Sequence, residues 1–296
     1  MTQITAQMVK DLRERSGAGM MDAKKALEEN GGDMEASLDW LRQKGVTKAA
    51  KKSGRITTEG AVTALTDGTF GVIIEVNCET DFAARNEAFT AFVKDVGAAA
   101  LAAKAGTVEA VLGIQLGGEL VSDKLTSLVA TTGENMTIRR VHSLEAKSGV
   151  VGAYVHLGGK IGVLVALEGT TDATVARQVA MHVAASNPQA LDKDSIDADL
   201  LARERAIYVA QAAESGKPAN VVEKIVEGRV SKFLEEVCLV EQPFVMDPDR
   251  KVGKVVSDAA AGAKVAGFVR FGLGEGIEKA EENFAEEVMK QVGSAA

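Results

Sequence analysis

Cysteine, proline, histidine and tryptophan are all scarce in this chain, which has two, four, three and one of them among 296 residues. Cys78 and Cys238 lie far apart, and the first residues carry charges with no apolar export segment behind them. The two cysteines could in principle pair, but in such a chain they are expected to be reduced thiols in a cytosol. No uncharged stretch is long enough to cross a bilayer. The sequence therefore predicts a cytoplasmic protein without a membrane span.

Positive charge is also in deficit. There are 34 lysines and arginines against 42 acidic residues, so the formal net charge is -8. A protein built to hold phosphate backbones needs a basic face and usually a basic domain. Direct binding of nucleic acid is therefore not expected. The hydrophobic share of 46% and the length fit a globular protein with two or three modest domains.

Motifs for catalysis are missing as well. The phosphate loop G-x-x-x-x-G-K-[ST], the metal patterns C-x-x-C and H-E-x-x-H and the nucleophile pattern G-x-S-x-G are all absent. We predict no cofactor, no metal and no enzymatic activity. A hydrolase with a dispersed site stays open as an alternative, supported only by His142, His156 and His182. Among these, His182 lies between Val179 and Val183 on a helical pattern, which favours a core histidine.

Helical spacing dominates the first part of the chain. From about residue 5 to residue 44 the apolar positions predict three short helices, separated by pairs of glycines, with Asp33 placed to cap the third. A basic stretch without acids follows at residues 44–55. We interpret it as a linker, either a solvated tether or a contact for an acidic partner. The predicted domain and its linker span residues 1–54.

An internal duplication follows. Strand alternation around the Asp67-Gly68 turn predicts a hairpin, and residues 159–167 repeat residues 68–76 at a constant offset. The offset pairs Gly71 with Gly162 and Asp81 with Asp172. The predicted fold class is α+β, with a duplicated core. Each half, at residues 55–142 and 143–272, is expected to be an antiparallel sheet covered by helices on one face.

A helical hairpin is predicted inside the second half, at about residues 195–238. Val226, Val230, Phe233 and Val237 follow the spacing of a coiled-coil seam. Strand alternation returns at residues 264–271, so the hairpin is expected to be an insertion. A last helix is predicted from about residue 277 to residue 292, within a C-terminal helical module at residues 273–296.

One short segment, residues 78–83, places an acid and a large aromatic side by side where a strand leads into a helix. A local explanation is available. Thr80 or Asp81 would cap the helix, and Phe82 would fold back onto it as a hydrophobic staple. A role in binding is the alternative that residue types alone leave open.

Six segments, in order along almost the whole chain, resemble the elongation factor Ts family. They are residues 12–27, 75–82, 133–140, 160–165, 181–185 and 242–245. The resemblance implies an N-terminal three-helix domain of the ubiquitin-associated (UBA) type, a two-part core, a coiled-coil hairpin and a C-terminal helical module. These parts coincide with the divisions drawn from periodicity.

The resemblance also implies a function. A member of this family is expected to bind elongation factor Tu with GDP, to displace Mg²⁺ and so to promote GDP release. The element implied to displace the metal consists of Thr80, Asp81, Phe82 and Ala83. The expected assembly is a heterodimer or a dimer of heterodimers. An adaptor that binds some other protein through its helical bundle is the rival hypothesis.

Further partner contacts are implied outside this element. Leu12, Met20 and Met21 are expected to lie against the GTPase domain of the partner, as is the last helix. His156, which matches a tyrosine-x-histidine segment of the family, is expected to touch a second domain of the partner.

Overall fold

The computed structural model describes residues 4–214 and 218–278, and it begins with a bundle of three helices. They are α1 (Ala6–Ser16), α2 (Met20–Glu29) and α3 (Met34–Ala50). Asp33 is the N-cap of α3, and its Oδ1 accepts a hydrogen bond from the N–H of Ala36 at 2.9 Å. The predicted three-helix domain is confirmed. Its buried centre consists of Leu12, Ala23, Ala26 and Leu27.

The basic segment differs from the expected linker. α3 continues to Ala50, so the first part of this segment is helix rather than tether. The extended part of α3 packs closely on the core, since a Cβ at Gly45 would lie 3.4 Å from the Cβ of Ala130. After the helix, Lys52 donates to the backbone oxygen of Gly133. The prediction of a linker beginning at residue 44 was therefore wrong for its first part.

The first half of the core is a three-stranded antiparallel sheet with its helices. Its elements, in chain order, are β1 (Glu59–Thr66), β2 (Phe70–Cys78), α4 (Asp81–Ala84), α5 (Glu87–Ala102), α6 (Val108–Leu112), β3 (Gln115–Leu116), β4 (Glu119–Leu120), α7 (Val121–Thr132) and β5 (Met136–Glu145). The strand order is β1-β2-β5. Gly68 in the first turn has φ 106°, as the predicted Asp-Gly hairpin requires. The third strand, β5, runs past residue 142, where we placed the boundary between the halves.

The second half repeats this plan. Its elements are β6 (Gly149–His156), β7 (Ile161–Glu168), α8 (Ala173–Ser186), α9 (Ala198–Ala213), α10 (Ala219–Val237), a 3-10 turn (Leu239–Glu241), β8 (Pro243–Phe244), β9 (Asp247–Lys251), α11 (Val252–Ala259) and β10 (Lys264–Gly272). The strand order is β10-β7-β6. In both halves the third strand follows the helices in the chain and pairs with the second strand of the hairpin. The predicted α+β class and the duplicated core are confirmed.

The two sheets pack face to face. Each sheet carries helices on its outer face, and the inner faces share a core that includes Val62, Ile73, Val151 and Leu164. The central strand β2 is buried at all nine positions, because it has helices on one side and the second sheet on the other. This strand leads directly into the segment that carries Asp81 and Phe82.

The helical hairpin lies within the second half, as predicted. α9 packs mainly on α10, and Val226 and Val237 of the predicted seam are buried. Coiled-coil geometry stays a prediction, and residues 215–217 of the turn lie outside the described residues. Ile277 and Glu278 are not helical, and the remainder of the predicted last helix also lies outside. Among the helices that the structure describes, none combines the length and apolarity needed to span a membrane.

Candidate functional site

The segment of Thr80, Asp81, Phe82 and Ala83, here called the Thr80 loop, follows the buried strand β2. Thr80 is the N-cap of the short helix α4, and its Oγ1 accepts a hydrogen bond from the N–H of Ala83 at 3.2 Å. The predicted capping role is confirmed for Thr80. Ala83 is buried and closes the loop against the core.

Phe82 does not fold back as a staple. Its side chain is 79% exposed, so almost the whole ring faces solvent. The neighbouring Asp81 forms an ion pair with Arg85 at 2.9 Å on the surface. Exposed ion pairs of this kind contribute about 0–1 kcal/mol, so the carboxylate is easily released. The loop presents an aromatic ring beside a weakly held acid.

The base of the loop is held by Glu134, which follows the C-cap of α7. The N–H of Thr80 donates to one carboxylate oxygen at 3.0 Å, and its hydroxyl donates to the other at 2.7 Å. The thiol of Cys78 donates to the carbonyl of Thr80 at 3.2 Å. Burial, assisted by the charges of Glu134 and Glu59, raises the pKa of this thiol to about 12, so it remains a protonated donor.

Glu79, next to the loop, joins it to the basic segment. Oε1 of its carboxylate accepts from the N–H of Asn135 at 2.6 Å, and Oε2 pairs with Arg55 at 3.3 Å. The amide of Asn135 in turn donates to the carbonyl of Arg55 at 2.8 Å. Lys52 and Arg55 thus contact their own chain. These two residues of the basic segment bind the backbone and side chains next to the loop, at Gly133, Asn135 and Glu79.

A buried carboxylate lies further along β2. Glu75 has no exposed side-chain surface, and it accepts from Arg139 at 3.1 Å and from the N–H of Gly274 at 2.8 Å. Arg140 and the side-chain amide of Asn77 also donate to this carboxylate. Burial by itself raises the pKa of Glu75, but the Gly274 N–H and the Arg140 guanidinium outweigh it, so that the pKa is lowered. The network attaches the end of β10 to the first half.

Comparison with known proteins identifies the kind of chain that carries this loop. A family model described as Elongation factor TS matches residues 79–275, more than half of the chain and including the Thr80 loop.

The chain belongs to the elongation factor Ts family.

Curated relatives support the assignment along the full length. Elongation factor Ts of Magnetococcus marinus is 51% identical over 301 residues, which cover 98% of this chain and 99% of the relative. Elongation factor Ts of Gluconobacter oxydans is 53% identical over 310 residues, covering 99% and 100%. That of Sphingopyxis alaskensis is 53% identical over 307 residues, also covering 99% and 100%. The resemblance drawn from six segments is confirmed.

The other contacts expected for an elongation factor Ts fall in different environments. Met20 and Met21, at the start of α2, are 60% and 73% exposed. Leu12 is fully buried in the bundle, so its side chain has no surface left for a partner. The helical spacing that predicted α1 already placed Leu12 on the apolar face, and that placement prevails. His156 is exposed at the end of β6, with its Nδ1 2.8 Å from the hydroxyl of Tyr154.

His182 is a core residue. Its Nδ1 accepts from the N–H of Val245 at 3.1 Å, so the proton resides on Nε2, which donates to Oε1 of Gln242 at 2.8 Å. Burial lowers the pKa of the imidazole. Both ring nitrogens are used, which leaves none for acid-base chemistry and removes His182 from a hydrolase site.

No metal centre is present in the part of the chain that the structure describes, residues 4–214 and 218–278. Its histidines, cysteines and acidic residues form no group of three or more that could hold an ion. Cys78 and Cys238 are free and buried.

Sequence reasoning missed Glu134 as part of the site. It lies in a segment, residues 133–140, that was singled out only for its family resemblance. Glu134 lies 54 positions from Thr80 in the sequence, so no sequence signal joined it to the loop.

Proposed function

We propose that this chain is a guanine-nucleotide exchange factor for elongation factor Tu, which binds the GDP form, displaces Mg²⁺ and promotes GDP release. The observation that carries the proposal is Phe82, 79% exposed beside Asp81 on an anchored loop, in a chain of the elongation factor Ts family. A large apolar side chain that a fold leaves in water, although it could pack locally, is typical of a binding residue.

The proposed mechanism needs only insertion of the loop. GDP is held partly by Mg²⁺, which bridges phosphate oxygens to the partner. A wedge that moves the elements supporting this ion removes a large electrostatic attraction for the nucleotide. Asp81 adds an anion that competes for the cation once its exposed pair with Arg85 opens. The chain needs no catalytic group of its own and is not an enzyme in this proposal.

Phe82 supplies the energy for the insertion. Burial of a phenylalanine side chain contributes about 1.5–3 kcal/mol, which offsets strain in the partner. Coupling between two binding events is reciprocal, so GDP weakens the binding of this chain by the same factor by which the chain weakens GDP. Binding of GTP to elongation factor Tu then releases the factor.

Two further contacts belong to the proposal. Met20 and Met21 provide an exposed apolar surface for the GTPase domain, and methionine suits a surface that must adapt to a partner. His156 provides a contact to a second domain. The place of action is the cytoplasm, where translation elongation occurs and where buried thiols stay reduced.

The test is stopped-flow release of a fluorescent GDP from elongation factor Tu, beside a direct binding assay. The intact chain is expected to accelerate release, and the Asp81→Ala, Phe82→Ala double variant is expected to bind yet lose most of the acceleration. A chain that binds without accelerating release would instead be an adaptor. A chain that neither binds nor accelerates would remove elongation factor Tu as the partner.

A further inference from the structure

We infer that Glu134 is a positioning residue, whose carboxylate holds the Thr80 loop in the geometry that presents Asp81 and Phe82. The inference rests on the proposed function, and it adds a residue that does not itself touch the nucleotide or the metal. Three observations carry it: the contacts of Thr80, the fixation of Glu134 and the shortness of α4.

Every polar group of Thr80 has a partner. Glu134 receives its N–H at 3.0 Å and its hydroxyl at 2.7 Å, so one carboxylate takes two charge-assisted hydrogen bonds in a forked geometry. The carbonyl of Thr80 accepts from Cys78 at 3.2 Å and from the N–H of Ala84 at 3.1 Å. The first residue of the loop is thereby fixed on all sides, while Phe82 stands in solvent.

Glu134 is fixed in its turn. Gly133 ends α7 with φ 81°, and its carbonyl accepts from Lys52. On the other side, the N–H of Asn135 donates to Glu79 at 2.6 Å. The backbone around Glu134 is therefore held both before and after it. A side chain on such a support can impose a position on the residue that it binds.

The loop needs an external anchor because its own helix is too short. α4 comprises only Asp81–Ala84, four residues, and a single helical turn is marginal without tertiary support. An exposed aromatic on a mobile turn would lose much of its binding energy to the cost of ordering the turn. Anchoring at Thr80 removes that cost before the partner arrives.

The second half of the molecule contains a matched control. Glu168, at the end of β7, also accepts from backbone N–H groups and a hydroxyl: Lys147 N at 2.7 Å, and Ser148 N and Oγ at 2.8 Å each. It holds the connection between β5 and β6 and makes no contact with the Thr80 loop. Glu168→Ala therefore removes an equivalent carboxylate from elsewhere in the fold.

The experiment compares Glu134→Ala, Glu134→Gln and Glu168→Ala in the full chain. It measures amide hydrogen exchange at Thr80 and the maximal rate of GDP release from elongation factor Tu at saturating factor. Glu134→Ala is expected to speed Thr80 exchange and to lower the maximal rate, each about tenfold or more, because it removes both charge-assisted hydrogen bonds from Thr80. Glu134→Gln is expected to keep most of the protection of the Thr80 amide and most of the maximal rate. Its side-chain amide can accept from the Thr80 N–H and donate to Oγ1. Glu168→Ala is expected to change neither.

Two results would overturn the inference. One is a Glu134→Ala variant with wild-type Thr80 exchange or a wild-type maximal rate, while the wild-type factor is active. The other is an equal loss in Glu134→Gln, which would assign the effect to charge rather than position. If the wild-type chain does not accelerate GDP release, the proposed exchange function fails by itself. In that case the positioning role is tested by amide hydrogen exchange at Thr80 alone.

Discussion

Gly71 and Gly162 occupy corresponding places in the two halves, and each makes room for the other half. A Cβ on Gly71 would lie 2.7 Å from Val151 Cγ1, and a Cβ on Gly162 would lie 2.5 Å from Val62 Cγ1. The hairpin turns repeat the exchange: the carbonyl of Gly68 accepts from Val151 N at 2.7 Å, and that of Gly159 accepts from Val62 N at 2.8 Å. The halves are therefore related by an approximate two-fold axis through the shared core.

This packing predicts that alanine is too large at either glycine. Gly71→Ala and Gly162→Ala are each expected to lower the free energy of unfolding by about 1–3 kcal/mol, the usual cost of overpacking a core. Urea denaturation measures it. The control is Gly228→Ala on the exposed side of α10, where a Cβ meets nothing within 4 Å. It is expected to stabilise the chain by roughly 0.5–1 kcal/mol. Unchanged stability in both core variants would contradict the close contact.

Phe82→Ala is expected to separate stability from activity. Since the ring is 79% exposed, the free energy of unfolding should change by less than about 0.5 kcal/mol. The rate of GDP release from elongation factor Tu should fall about tenfold or more, because the burial energy of the ring is lost. Phe89→Ala, at a fully buried position, is the contrasting variant and should lose about 3–5 kcal/mol of stability. If elongation factor Tu releases GDP as fast with the Phe82→Ala chain as with the wild type, the ring is not the wedge.

His182 predicts a loss of stability in mild acid. Burial lowers the pKa of its imidazole in the folded chain below the ordinary value of 6.5. The unfolded chain therefore takes up the proton first as the pH falls through 6.5. The contribution is complete above that pH and is lost below it, with a slope of up to about 1.4 kcal/mol per pH unit.

The measurement for His182 is urea denaturation between pH 7.5 and 5.5. His182→Gln should flatten the pH dependence in this window. Phe244→Leu alters the ring packed at 5.7 Å from the imidazole, so it should lower stability and keep the slope. An unchanged slope in His182→Gln would show that other groups cause the acid sensitivity.

Glu75 predicts a large effect of removing one charge. Glu75→Gln leaves Arg139 and Arg140 without their carboxylate and is expected to cost about 3 kcal/mol of stability, as for other broken buried ion pairs. Glu275→Gln, whose side chain is 51% exposed, should cost less than about 1 kcal/mol. Thermal or urea unfolding distinguishes the two. Equal losses would mean that burial of Glu75 adds nothing to the pairing.

Much of the fold could be predicted because the evidence for it is local or repeated. The Asp-Gly turn, the helical spacing of the bundle and the repeated hairpin each depend on neighbouring residues. The strand β5 was not predicted, since Arg139, Arg140 and His142 interrupt its apolar pattern. The folded chain explains the two arginines, because both reach Glu75 on the adjacent strand.

The candidate site was predictable in part. The cap at Thr80 depends on four consecutive residues, whereas the exposure of Phe82 depends on what the rest of the chain leaves uncovered. Glu134 lies 54 positions from Thr80 in the sequence, so no local pattern connects them. Leu12 shows the converse. The resemblance implied a contact surface, and the packing of the bundle buries that side chain.

The two halves differ at the position that carries the exposed aromatic ring. The offset that pairs Asp81 with Asp172 places Ala173 opposite Phe82, and both positions are exposed at the start of a helix. The two halves therefore carry an aromatic ring at one of these positions and a methyl group at the other. A duplicated body that kept both rings would be bivalent. This chain has the ring in its first half and a methyl group at the corresponding place in the second, so it can offer the ring to a single partner at a time.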